Sequence, residues 1–95
     1  MGNPREKVAE TVKEYVRKNA SVIIGQQIIS QSDWSHIEDL AISVVLTRDE
    51  KLMGGSFVQS IVNNDLERAI GSADSTALKS IKLLVLVKLW CHPEY

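Results

Sequence analysis

Apolar positions in this chain recur at helical spacing over most of its 95 residues. In residues 4–18, Val8, Val12, Tyr15 and Val16 share one stripe, while Glu6, Glu10 and Glu14 face water beside Lys13, Arg17 and Lys18. Asn3 followed by Pro4 supplies a start signal, because proline in a first helical turn forfeits no hydrogen bond. Residues 20–30, ASVIIGQQIIS, read two ways. Ala20, Ile24 and Ile28 suit a helix, the favoured reading, and the β-branched cluster around Gly25 suits a short strand pair. Ser32, Asp33 and Ser35 each offer a cap for the next helix, and Ser35 with Glu38 has capping-box spacing. Trp34, Ile37, Leu40, Ala41, Val44 and Val45 form its apolar face, with an end expected near Thr47.

A charged connector over 48–52 leads to the most informative stretch, MGGSFVQSIVNNDLERAIGSAD at 53–74. Gly54 and Gly55 give backbone freedom before Ser56, a candidate cap. With about 100° between successive residues, Phe57, Val58, Ile61, Val62, Leu66, Ala69 and Ile70 occupy one broad arc of a single predicted helix. Asp65 falls near the centre of that arc. Gly71 can end the helix, and Asp74 or Ser75 can begin another. That last helix, over 75–90, is apolar on nearly every side. Leu78, Ile81, Val85 and Leu89 lie on one face, with Leu83, Leu86, Val87 and Trp90 towards the other. It is either the central helix of a bundle or partly covered by another subunit. The whole pattern predicts an all-α fold, one compact bundle of four or five short helices spanning 1–95.

Composition narrows the classes of function. A chain of this size with 44% hydrophobic residues is one domain with a modest core, for which self-association is a natural extension. Eleven Lys plus Arg against 12 Asp plus Glu leave a net charge of -1, without the cationic footprint that nucleic acid demands. Cys91 is the sole cysteine, which excludes an internal disulfide. The charged N-terminal stretch lacks the apolar core of a signal peptide, and no apolar run approaches bilayer thickness. A cytoplasmic location, with no membrane partner, is the expectation.

The series GGSFV, Ile61, Asn64-Asp65-Leu66, Ala69 and Ala73-Asp74 resembles a group of small bacteriophage and prophage proteins. The likeness covers residues 53–74, with an echo at Trp90 and Pro93-Glu94; Ser72 stands where an Arg often precedes the Ala-Asp pair. The group has no established activity, so the resemblance implies a phage origin and no chemistry.

Asp65 is the outstanding polar residue. A carboxylate on an apolar face must be hydrogen-bonded, paired or placed in a concave site, and the favoured reading is a cap on the N-terminus of another helix. Asn64 lies off the arc, towards solvent or partner. Together with Phe57, Leu86 and Trp90 these form the candidate structural or partner-contact set. His36 and Asp39, three apart, are too few ligands for zinc and read as a surface pair. Cys91 beside His92 reads as a small buried hydrophobe at a helix end, and Gly54-Gly55 as a flexible helix entry rather than an anion site. No cofactor, metal or catalytic residue is expected. The favoured function is a non-enzymatic helical protein-binding module acting on a host or phage protein, with a homo-oligomer such as a homodimer as the expected self-association. A nucleic-acid-binding regulator of helix-turn-helix type is the alternative, and a small enzyme working through Asp65 a remote third.

Overall fold

The computed structural model describes residues 4–23 and 29–93. Among them are five α-helices and no strand: α1 (Pro4–Lys18), α2 (Gln31–Arg48), α3 (Ser56–Val62), α4 (Leu66–Ser72) and α5 (Ser75–Trp90). A 3-10 turn, Ala20–Val22, follows α1. The all-α bundle expected from the apolar period is the fold observed.

α2 and α5 form the central pair, with α1 and α3 packed across them and α4 resting mainly on α3. Val8, Val12 and Val16 bring the α1 stripe into the core against Ile37, Ala41, Val44 and Val45 of α2 and Leu83, Leu84 and Val87 of α5. Phe57, Val58 and Ile61 close it from α3, while α4 contributes just Ala69. Each fully buried aliphatic side chain of this size is worth about 1.5–3 kcal/mol in removal from water, which makes α4 the least anchored helix.

Several local expectations change. The Ser30 hydroxyl caps α2, accepting from the Asp33 amide at 3.2 Å. The helix therefore starts at Gln31, and the Ser35–Glu38 capping box, like the caps at Ser32 and Asp33, is replaced by positions inside the first two turns. Residues 20–22 form the 3-10 turn instead of the start of an α-helix; Ile23 is buried, and residues 24–28 of that expected helix lie outside the described residues. Gly55, not Ser56, is the residue before α3.

Residues 53–74 are the largest revision. The single predicted helix is two, broken at residues 63–65. Asn64 takes a left-handed backbone, φ 59°, a conformation asparagine tolerates better than most residues with a Cβ. Asp65 then caps α4, its carboxylate accepting from the Arg68 amide at 3.2 Å. Gly71 lies within the last turn of α4, and Asp74 caps α5 through the Ala77 amide at 2.7 Å. Ahead of α3, a Cβ at Gly54 would meet Val58 Cγ1 at 2.7 Å and Thr47 Oγ1 at 2.9 Å, so its glycine is a matter of close approach to α2 and α3.

The end of α5 is held from outside the helix. The Arg48 guanidinium donates to the carbonyls of Lys88 at 2.9 Å and Cys91 at 2.7 Å, while Asp49 clamps its other edge at 2.8 and 2.9 Å. This satisfies the C-terminal carbonyls of α5 and opposes a cation to the negative end of its dipole. Arg48, read as connector, thus ties the end of α2 to the end of α5.

Candidate functional site

The five candidate residues do not converge. Phe57 is buried in the core beneath α3. Asn64 and Asp65 make the α3–α4 turn; Asn64 is exposed, and the Asp65 side chain is 45% exposed, so the acid is not the buried group its place on the arc implied. Asp65 does cap a helix, but that helix is its own successor. Arg68 Nε stands 3.8 Å from its second oxygen. Leu86 and Trp90 lie towards α1: the Tyr15 hydroxyl donates to the Leu86 carbonyl at 3.3 Å, and Trp90 borders a cleft of about 250 Å³ with Thr11, Glu14, Tyr15, Lys18 and His92.

The residues of the series at 53–74 have structural tasks one by one. Gly54 permits close packing, Phe57, Val58, Ile61 and Ala69 fill the core, Asn64 turns the chain, and Asp65 and Asp74 cap helices. Among the apolar residues of that series, Leu66 alone faces solvent, at 61% exposure.

Leu66 belongs to a larger surface that the candidate set missed. Leu78, Val85 and Leu89 are also exposed, as is Ile70. The first three stand seven and four residues apart and share the outer face of α5; Ile70 stands one turn beyond Leu66 on α4. Leu66 and Ala69 line the same narrow crevice as Ile81 and Val85, so the two faces adjoin. Ala77, Ser80, Leu84, Val87 and Cys91 are buried on the opposite side of α5. The signal for this surface was present in the sequence, since Leu78, Ile81, Val85 and Leu89 form one stripe; which of the two apolar stripes is covered is decided only by tertiary packing.

The polar groups near these faces are accounted for by local structure. A cleft of about 150 Å³ between α3 and α4 is lined by Ser56, Gln59, Ser60, Asn63, Asp65 and Arg68, and the Ser60 hydroxyl bonds back to the Ser56 carbonyl at 2.7 Å. His36 pairs with Asp74 at 3.0 Å rather than with Asp39, linking α2 to the cap of α5. The Ala77 amide foremost, with His36 added, holds the Asp74 carboxyl below the usual carboxylate range. Burial pushes the Cys91 thiol up, against the lowering influence of Arg48, so it stays protonated and unreactive near neutrality. His92 Nε2 lies 3.2 Å from the Leu89 carbonyl. Among the described residues no group of three His, Cys, Asp or Glu side chains is arranged to hold a metal, and no helix is long and apolar enough to cross a membrane.

No family model, curated protein or solved structure matches this chain.

Proposed function

We propose that this chain is a non-enzymatic helical protein-binding module, phage-derived, that works by applying the outer apolar face of α5 and the adjoining edge of α4 to another protein. The observation that carries this reading is the exposed group Leu66, Ile70, Leu78, Val85 and Leu89. Five large aliphatic side chains gathered on one side of a small bundle favour contact with another apolar surface, because their transfer from water is the main driving force of association. The polar residues that most invited a chemical reading support the same view, since Asp65 and Asp74 serve as helix caps and His36 as a strut between helices. The likeness to phage proteins supports a setting in the host cytoplasm, with a host or phage protein as partner.

The test is in-cell photo-cross-linking. A photoreactive amino acid at position 85, in the apolar face, is compared with one at Glu10, on the exposed side of α1. Protein adducts are expected from position 85 and not from position 10. Equal adducts from both positions, or none from 85, would remove the reading.

A further inference from the structure

The edges of the apolar face carry opposite charges, and their positions say what fits it. Counting about 100° per residue from Leu78, Val85 and Leu89 fall within about 20° of it, Ile81 lies about 60° to one side, and Lys82 about 40° to the other, with Lys79 beyond at about 100°. The crevice shared by Leu66, Ala69, Ile81 and Val85 places α4 on the Ile81 side. On α4, Ala69 is buried about 60° to one side of Leu66, and Glu67 stands about 100° to the other, at the outer rim. Crossing the face from α4 to α5, one meets Glu67, then Leu66 and Ile70, the crevice, Val85 with Leu78 and Leu89, and finally Lys82 and Lys79; Lys88, half-buried, stands about 80° to the Ile81 side of α5, about one turn beyond Val85. Glu67, Lys79 and Lys82 are all exposed and engage in none of the ion pairs formed among the described residues.

A two-fold axis that lies in this face and runs along α5 exchanges its two edges. The acidic rim of one copy then lies against the basic rim of the other, twice per assembly, with the apolar side chains between them. Self-complementarity of this kind is what an isologous interface requires. A parallel argument from charge disfavours occupants that present only one sign, because one rim would face a like charge.

We infer that the occupant of this face is a second copy of the chain, in a two-fold homodimer in which Glu67 of each copy faces Lys82 of the other across the Leu66, Ile70, Leu78, Val85 and Leu89 surface. The inference rests on the reading of this face as a protein contact and names the partner.

Sedimentation equilibrium on the purified chain tests it. A reversible dimer is expected, and a monomeric mass up to about 1 mM, where an interface is too weak to matter, would overturn the inference. Val85→Asp should yield a monomer with unchanged far-ultraviolet circular dichroism; Leu89→Lys is the second variant should Val85→Asp fail to fold, and a dimer persisting in the folded variant would overturn it. Glu67→Lys and Lys82→Glu should each raise the dissociation constant about tenfold, since each sets like charges together at two symmetric places. Mixing the two variants should restore a heterodimer of native affinity, because both of its edges again pair opposite charges. A mixture no tighter than its components would overturn the two-fold arrangement. If the pure chain is monomeric while position 85 still cross-links to a different protein in cells, the second copy is excluded and the protein-contact reading stands; absence of any adduct removes both.

Discussion

Arg48 shows how much one side chain can hold. Its guanidinium reaches the last carbonyls of α5 some 40 residues away in sequence, and it is only 15% exposed. Removing the fork while leaving an apolar stem, as in Arg48→Met, strands those carbonyls and Asp49, with an expected loss of about 2–3 kcal/mol in urea unfolding. Arg48→Lys should recover less than half of this, because one ammonium cannot serve two carbonyls and a carboxylate in fixed directions. Asp74 offers a pH test at the same scale. Its carboxyl is held low in the folded state, so it stabilises the fold above its unfolded value of about 3.9 and loses that contribution as pH falls through the lower folded value. Wild type should therefore exceed Asp74→Asn in stability at pH 6, with the gap closing by pH 2. An equal gap at both values would show that the charge contributes nothing. The two roles were not legible in the sequence to the same degree. Asp74 is adjacent to the helix it caps and was foreseen as a start; Arg48 acts on a partner that no local pattern reveals.

At the scale of elements, turns decide what periodicity cannot. The apolar arc from Phe57 to Ile70 is continuous on a helical projection, yet the chain breaks it at Asn64, because a left-handed residue followed by a capping Asp costs little and lets α4 leave the axis of α3. The Asn-Asp pair carried that signal, overshadowed by the unbroken spacing of Ile61, Val62, Leu66 and Ala69. Glu50 repeats the theme at the end of α2. It takes φ 60°, and the Lys51 amide reaches back to the Leu46 carbonyl at 2.8 Å, a closure that glycine makes without steric penalty. Glu50→Gly should accordingly leave stability unchanged or raise it by up to about 1 kcal/mol despite the added freedom of the unfolded chain. A clear loss in thermal unfolding would show that the Glu50 side chain contributes more than its backbone strain removes. The caps of α2 and α3 were misplaced by a few residues for the ordinary reason that serines abound there and several satisfy the same local rule.

For the molecule as a whole, the two sides of α5 should answer to different experiments. The sequence made the helix apolar nearly all round and left open whether its sides were covered by the bundle or by another subunit; packing assigns Leu84 and Val87 to the core and Leu78, Val85 and Leu89 to the outside. Leu84→Ala empties a site of zero exposure and should cost about 2–5 kcal/mol at any protein concentration. Leu89→Lys changes a half-exposed side chain and should alter the unfolding of the dilute monomer by less than about 0.5 kcal/mol. Its effect belongs instead to association. At concentrations where wild type self-associates, the melting temperature of wild type should rise with concentration while that of Leu89→Lys stays flat, because only the native, assembling form is stabilised by mass action. Coincident concentration dependence in the two proteins would place the contact elsewhere on the bundle, and a large loss in dilute Leu89→Lys would mean that this face contributes to the fold itself rather than to what the fold meets.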